Sequence, residues 1–155
     1  MKITAQEEYG LRCLLQLARR PQGRMATVKE IAKLEGLSMA YVEKLLRALS
    51  RAGLVRSVRG IKGGYLLTKP PTEITLAQVV AALGSVLSTK SICARYTGLR
   101  LECIHFSNCG IRSAWAGLTQ AIEQFLQQTT LAQLLPDEQV VDQTMAVRWS
   151  RIATG

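Results

Sequence analysis

Three of the four cysteines and the only histidine lie close together in this 155-residue sequence. Cys93, Cys103, His105 and Cys109 fall within 17 positions. The surrounding stretch, residues 85–110, is polar and contains glycine but shows no sustained periodicity. A loop of this length in a compact protein is usually functional or disordered. Thiolates are preferred ligands of iron-sulfur clusters and of zinc, so these side chains are candidate metal ligands.

The spacing of the cysteines favours a cluster over zinc. Nine residues separate Cys93 from Cys103 and five separate Cys103 from Cys109, whereas most zinc modules contain Cys-x-x-Cys pairs. Two alternatives stay open: zinc with His105 as the fourth ligand, and three unrelated reduced thiols. Cys13 lies in an apolar helical pattern and is expected to be a small core residue.

The excess of basic over acidic residues lies entirely in the first half of the chain. The net charge is +9; residues 1–71 hold 14 basic and 5 acidic residues, whereas residues 72–155 hold 6 of each. A basic module joined to a neutral one indicates a nucleic-acid-binding head and a separate sensing or assembly part. A basic surface kept for solubility is the alternative. A membrane-surface role is disfavoured because the basic residues are spread over several elements.

The basic half contains two short predicted helices joined by a Gly-Leu-Ser turn. Thr27 and Glu30 form a capping-box pattern at the first helix, which ends at Gly36. Ser38 caps a second helix that runs through roughly Ala52. This arrangement predicts a helix-turn-helix motif, whose second helix places its first turns in the major groove of DNA.

The side chains of these first turns have distinct chemical capacities. Lys44 and Arg47 can neutralise phosphates, whereas Glu43 accepts only from a donor such as cytosine N4 and is predicted to discriminate between sites. Alternatively, Glu43 pairs with Arg47 at i,i+4 and faces solvent. The candidate DNA-contacting residues of the motif are Thr27, Ser38, Met39, Ala40, Tyr41, Glu43, Lys44 and Arg47.

Residues 57–67 predict a β-ribbon with a cationic tip. Valine, tyrosine and leucine favour strands, and between them lie three glycines with Arg59 and Lys62. Glycine allows close backbone approach and the basic side chains attract phosphate, so Arg59, Gly60 and Lys62 are further candidate DNA contacts. The alternative is an ordinary hairpin with solvated basic residues.

A longer helical pattern follows the cysteine loop. Ile111, Trp115, Leu118, Ile122 and Phe125 recur every three or four residues, as in a coiled-coil seam. The seam predicts pairing with a second subunit; packing on its own domain is the alternative. The expected organisation is a winged helix-turn-helix domain at 1–84, a cluster-binding loop at 85–110, a dimerisation helix at 110–135 and a flexible tail at 136–155.

The chain shows no pattern typical of export or membrane insertion. No apolar run approaches the roughly 20 residues that a membrane-spanning helix requires, and residues 1–4 lack the apolar core of a signal peptide. A cytoplasmic location with no membrane partner is therefore expected. In that compartment the cysteines are expected to be thiols or metal ligands and not disulfides.

These features together predict a mainly α fold with a small β wing, and they resemble the Rrf-type winged helix-turn-helix regulators, the family that includes IscR, NsrR and RirA. The resemblance covers residues 1 to about 135, and the wing, Ser-Val-Arg-Gly-x-x-Gly-Gly-Tyr, is its most diagnostic stretch. It implies a homodimeric transcription factor that binds double-stranded DNA at a palindromic operator. It also implies an iron-sulfur cluster, 2Fe-2S or 4Fe-4S, with Cys93, Cys103 and Cys109 at the ligand positions.

The sequence departs from the family pattern in two places. The interval of nine residues between Cys93 and Cys103 is longer than the family commonly has. The position of a ligating histidine in IscR is occupied here by Arg112, which cannot bind iron. The resemblance therefore implies a fourth ligand from elsewhere: His105, or Glu8, which lies where some relatives supply a carboxylate from the partner subunit.

Three alternatives to the cluster-sensing regulator stay open. A winged-helix module that serves only protein contacts keeps the fold and binds no DNA duplex. A cofactor-free regulator, thiol-switched or constitutive, keeps the DNA-binding part and discards the cluster. An enzyme is disfavoured, because a Cys-His catalytic pair must use the single histidine, His105, on a loop for which no ordered pocket is predicted.

Overall fold

The computed structural model describes residues 3–21, 23–60, 63–84, 96–97, 99–103, 105 and 109–135. The predictions for Lys62, Cys93 and the tail at 136–155 lie outside the described residues, as does most of the loop at 85–110.

Three helices form the N-terminal part of the molecule: α1 (Ala5–Ala18), α2 (Val28–Glu35) and α3 (Met39–Arg51). Each begins at a residue whose side-chain oxygen accepts a backbone N–H of the first turn, namely Thr4, Thr27 and Ser38. α2 ends at Gly36, whose φ of 65° lies in the left-handed region that glycine adopts readily. The predicted helix-turn-helix motif and its caps are thus confirmed.

The predicted ribbon is an antiparallel pair of strands, β1 (Val55–Val58) and β2 (Gly64–Leu67), with Ser57 opposite Tyr65. Tyr65 also forms a β-bridge with Ala26, through N···O distances of 2.9 and 2.8 Å. A Cβ at Gly64 would overlap with the backbone of Ala26, so this close approach requires glycine. The bridge ties the wing to the segment that leads into α2.

The hydrophobic core lies where α1, α2 and α3 meet β1. Side chains from all four elements are fully buried there, including Leu14, Ile31, Leu45, Leu46, Leu49 and Val55. The spacing of Val42, Leu45, Leu46 and Leu49 places one face of α3 in this core. The opposite face of α3 is therefore left for another partner.

A 3₁₀ turn (Pro71–Glu73), α4 (Leu76–Leu83), α5 (Gly110–Gln128) and a second 3₁₀ turn (Leu131–Leu134) follow the wing. The side chain of Thr75 caps α4 by accepting the backbone N–H of Gln78. These elements complete a mainly α fold with a small β wing, in agreement with the expected fold class. Among the described residues, no helix combines the length and apolarity needed to cross a membrane.

The chain returns to the N-terminal part after α5. Thr75 and Thr130 form a β-bridge, and the N–H of Leu131 donates to the carbonyl of Ile74 at 2.8 Å. The side chain of Leu131 is fully buried in the core. The long helix therefore ends at Gln128 and not at 135. Residues 129–135 pack with the winged helix-turn-helix part, because Leu131 gains core contacts there that a detached helix end lacks.

α5 is much longer than the helix on which it packs. Its 19 residues span roughly 28 Å, whereas the 8 residues of α4 span roughly 12 Å. Ile122 and Phe125 in its C-terminal half are partly buried, whereas Ile111, Trp115 and Leu118 are 66%, 43% and 47% exposed. The first half of the predicted seam thus projects beyond α4 without a cover among the described residues of this chain.

Candidate nucleic-acid interface and cysteine site

The exposed face of α3 carries a row of polar and basic side chains. Ala40, Lys44, Arg47 and Arg51 recur at intervals of three or four residues and are all exposed. Residues at this spacing lie on one side of a helix. The four core residues of α3 occupy the other side, so the basic row faces away from the core.

An open groove of about 510 Å³ lies between this face and the wing. Its lining is formed by Ala40, Glu43, Lys44, Arg47, Ser50, Arg51, Ser57 and Tyr65. Three of these residues are cationic and one is anionic, and two more carry hydroxyl groups on the wing strands. Such a groove presents charge and hydrogen-bond donors to a polyanion.

Four lining residues were not among the sequence-based candidates: Ser50, Arg51, Ser57 and Tyr65. Arg51 lies four residues after Arg47, so the helical period carried a signal that could have found it. Ser57 and Tyr65 reach the groove because they face each other across the ribbon. That placement depends on strand register and on the packing of the wing against α3, for which the sequence offered no signal.

Glu43 and Arg47 form an ion pair on the exposed face of α3. The Arg47 guanidinium donates to Glu43 Oε1 at 2.6 Å, and this hydrogen bond to the carboxylate raises the pKa of Arg47 above its ordinary value. Of the two interpretations of Glu43, the structure shows the i,i+4 pair in the chain without DNA. Both side chains line the groove, so the pair lies within the candidate interface.

The remaining candidates on the helix-turn-helix motif divide into caps and exposed groups. The hydroxyl of Thr27 accepts the N–H of Glu30 at 3.1 Å, and the hydroxyl of Ser38 accepts the N–H of Tyr41 at 3.3 Å. The backbone N–H of Thr27 donates back to Glu30, which lowers the pKa of that carboxyl. Met39 is 56% exposed, whereas the Tyr41 ring is half-buried.

The described part of the wing tip is exposed. Arg59 and Gly60 follow β1 directly, and both are accessible to solvent. Gly60 has φ of 126°, a conformation that residues with a Cβ rarely adopt, so the tip geometry requires glycine there. The arrangement places an arginine beside an unhindered stretch of backbone, as the sequence predicted for a phosphate contact.

Two of the candidate metal ligands, Cys103 and Cys109, lie within the described residues. Cys103 and Cys109 are half-buried and are not in disulfides. Cys109 is the residue that directly precedes α5. Half-buried thiols of this kind fit the donor chemistry of an iron-sulfur cluster.

The described residues do not assemble a complete ligand set. Within them, no three side chains of His, Cys, Asp or Glu come close enough together to hold a metal ion. His105 and Glu8 are both exposed, His105 in a turn and Glu8 on α1. Because Cys93 lies outside the described part of the chain, the grouping of the three cysteines stays a prediction.

Cys13 differs from the other described cysteines. Its side chain is fully buried in the core, and burial raises the pKa of the thiol to about 12. A thiol with this pKa is protonated and unreactive near neutral pH. The expectation of a core cysteine is confirmed.

Comparisons with known proteins agree with this fold. The chain is 32% identical over 142 residues to the HTH-type transcriptional regulator IscR of Vibrio atlanticus (strain LGP32), spanning 92% of this chain and 79% of that protein. The solved structure of T. potens IscR superposes with a TM-score of 0.68 at 30% identity, over 87% of this chain and 86% of that chain. The structure of CymR (YrzC), the global cysteine regulator of B. subtilis, superposes with a TM-score of 0.70 at 29% identity, over 87% and 96%.

A family model named Rrf2 and described as an iron-dependent transcriptional regulator matches residues 3–137, which is most of the chain. Relatives of this family are DNA-binding regulators and not enzymes. The helix-turn-helix and the wing fit a DNA-binding regulator, and the family model covers most of the sequence. The chain belongs to the Rrf2 family of transcriptional regulators.

Proposed function

We propose that this regulator acts as a homodimer on a palindromic operator and that an iron-sulfur cluster held by Cys93, Cys103 and Cys109 sets its affinity for DNA. His105 or Glu8 supplies the fourth ligand. The observation that carries the proposal is the position of Cys109, which directly precedes the helix that projects from the DNA-binding part.

The DNA-binding surface comprises the exposed face of α3, the groove and the wing tip. Lys44, Arg47 and Arg51 neutralise phosphates along the groove, and Arg59 with Lys62 does so at the wing. Glu43 supplies selectivity, because a carboxylate near DNA is repelled unless a base donor such as cytosine N4 meets it. Thr27, Ser38, Met39, Ala40, Tyr41 and Gly60 complete the proposed contact set, together with Ser50, Ser57 and Tyr65 of the groove.

The projecting half of α5 supports the homodimer. Ile111, Trp115 and Leu118 form an exposed apolar stripe at coiled-coil spacing. A second copy of the same stripe covers it by two-fold symmetry, the commonest arrangement of soluble oligomers. Two α3 helices then address half-sites about 34 Å apart, one turn of the duplex, which favours a palindromic operator.

The cysteine site connects ligand binding to this geometry. When bound, an iron-sulfur cluster supplies a centre that responds to iron status, redox conditions or nitric oxide. Cys109 is continuous with α5, so any restraint on its sulfur acts on the helix that pairs the subunits. A small change in the separation of the two DNA-binding parts lowers the fraction of dimers that can contact both half-sites at once. The cost is several kcal/mol of specific binding free energy.

A cofactor-free regulator is the second candidate, and a specific observation favours it. The structure of CymR, the global cysteine regulator of B. subtilis, is as similar to this chain as the IscR structure is. In this alternative, the half-buried thiols of Cys103 and Cys109 are themselves the switch.

Anaerobic purification followed by absorption spectroscopy and iron and sulfide analysis separates the two candidates. The cluster proposal expects a coloured protein with stoichiometric iron and sulfide, loss of both in Cys103→Ser and Cys109→Ser, and retention in Cys13→Ser as the matched control. Exposure to air or nitric oxide is then expected to change the affinity for an operator duplex. A colourless, iron-free protein that binds the same duplex equally well contradicts the cluster and leaves the cofactor-free regulator.

A further inference from the structure

A chain of side-chain contacts joins three helices beside the DNA-reading face of α3. It begins at Glu35, the last residue of α2, whose side chain is only 6% exposed. Glu35 accepts hydrogen bonds from Arg12 Nε at 2.6 Å and from Gln16 Nε2 at 2.5 Å. A nearly buried carboxylate requires such partners, because an unpaired buried charge is strongly unfavourable. Glu35 therefore fixes where Arg12 lies.

Arg12 in turn restrains an aromatic ring. Its guanidinium lies over the ring of Tyr9, one turn earlier on α1, at 5.4 Å from the ring centroid. A guanidinium at this distance is attracted by the ring face. Arg12 thus restrains Tyr9 within α1, and Glu35 anchors α1 to α2.

Tyr9 then meets the recognition helix. The rings of Tyr9 and Tyr41 are nearly perpendicular, at 82°, with centroids 6.1 Å apart. Perpendicular aromatic pairs at this separation are favourable beyond their buried area. Tyr41 lies in the first turn of α3, about 100° around the helix from Ala40 of the groove, so it stands at the edge of the exposed face.

We propose that Tyr9, held by the Arg12–Glu35 ion pair, is a positioning residue that fixes the side chain of Tyr41 for sequence-specific contact with DNA. The inference rests on the proposed function, in which Tyr41 belongs to the DNA-contacting set. Its physical basis is preorganisation: a side chain already held in one rotamer loses less conformational entropy on binding than a free one. Since phosphate neutralisation needs only charge, the effect is confined to specific binding.

The test compares specific with non-specific affinity. A specific duplex is first selected by the wild-type chain from a random pool, and a scrambled duplex of the same length serves as the non-specific probe. Tyr9→Leu is expected to lower the ratio of the two affinities about 3- to 10-fold, the scale of one aromatic pair. Non-specific affinity and its dependence on salt stay unchanged. Tyr9→Phe, which keeps the ring, retains the wild-type ratio.

Leu15→Ala is the matched control for a loss of stability alone. Leu15 also lies on α1 and packs against the core, but it is outside the contact chain. Its substitution is expected to lower the melting temperature and leave the affinity ratio unchanged. If Tyr9→Leu does not fold, Arg12→Gln provides the milder variant, with an expected 2- to 3-fold decrease in the ratio.

A double-mutant cycle assigns the effect to Tyr41. In a Tyr41→Leu background, Tyr9→Leu is expected to cause no further decrease in the ratio. An unchanged ratio in Tyr9→Leu, or an equal decrease with and without Tyr41, overturns the inference. Failure of the wild-type chain to select any duplex is a different result: it contradicts the proposed function and removes the inference with it.

Discussion

Glu43 and Arg47 lie one turn apart on the exposed face of α3 and share a hydrogen bond of 2.6 Å within the candidate interface. Under the proposed function, Arg47 exchanges a carboxylate for a phosphate when the chain meets DNA, and Glu43 is then left charged beside the duplex unless a base donates to it. The pair would link base identity to phosphate contact, and discrimination would follow from the cost of an unsatisfied Glu43.

Substitution of Glu43 by alanine is expected to reduce discrimination more than affinity. The change removes the repelled carboxylate and releases Arg47, so affinity for scrambled duplex rises. The preference for the selected operator falls about tenfold, within the ~1–3 kcal/mol of one base readout. Binding titrations on both duplexes measure it, with Glu73→Ala, outside the groove, as control. A parallel loss of affinity on both duplexes contradicts the assignment.

Removal of a groove or wing cation is expected to weaken binding to all sequences together. Arg51→Ala, Arg59→Ala and Lys62→Ala each delete one proposed phosphate contact, so the slope of log K against log salt falls in magnitude by about one. Arg56→Ala is the control, because Arg56 precedes Ser57 on β1 and points to the other face of the ribbon. Unchanged binding of Arg59→Ala at every salt concentration makes the wing assignment wrong.

A charge on the projecting stripe of α5 is expected to separate the subunits. Leu118→Glu places a carboxylate where an apolar side chain meets its two-fold copy, so the dissociation constant of the dimer rises by more than about 100-fold. Gln120→Glu adds the same charge on nearly the opposite side of the helix and leaves assembly intact. Sedimentation equilibrium compares the two variants, and a dimeric Leu118→Glu protein disproves pairing through this stripe.

The stability of the fold is expected to decrease at alkaline pH because of Cys13. The ordinary pKa of 9.0 applies to the unfolded chain, whereas the folded chain holds the proton up to about pH 12. The unfolded state therefore loses its proton first, and the free energy of unfolding falls as pH rises above 9.0, by at most ~1.4 kcal/mol per pH unit. Cys13→Ala removes this contribution. Denaturant titrations of both proteins that show the same dependence on pH contradict it.

Two glycines in helices are expected to respond oppositely to substitution by alanine. A Cβ at Gly10 would overlap with the end of the buried Leu83 side chain, so Gly10→Ala forces that side chain to shift and costs about 1–3 kcal/mol. A Cβ at Gly117 meets nothing within 4 Å, so Gly117→Ala stabilises α5 by about 0.5–1 kcal/mol. Thermal unfolding measures both, and a melting temperature unchanged by Gly10→Ala argues against the α1–α4 contact.

Local sequence signals were sufficient for most element boundaries. Thr27 and Ser38 were recognisable as caps because each makes its hydrogen bond within three residues along the chain. Gly36 was recognisable as a stop because its left-handed conformation is a local property of the backbone. Cys13 was placed in the core because helical periodicity is also local.

Long-range packing determined the features that local sequence signals cannot encode. The Glu43–Arg47 pair lines the groove because the core covers the other face of α3. Ser57 and Tyr65 entered the groove through strand register and through the bridge from Tyr65 to Ala26.

The sequence by itself determined the winged helix-turn-helix elements and the basic half, because caps, periodicity and charge act between near neighbours. Only the tertiary structure decided that Leu131 returns to the core and that α5 ends at Gln128 and projects past α4. Those features depend on contacts between residues that are distant in the sequence, and their free energy is a property of the packed molecule and not of any segment.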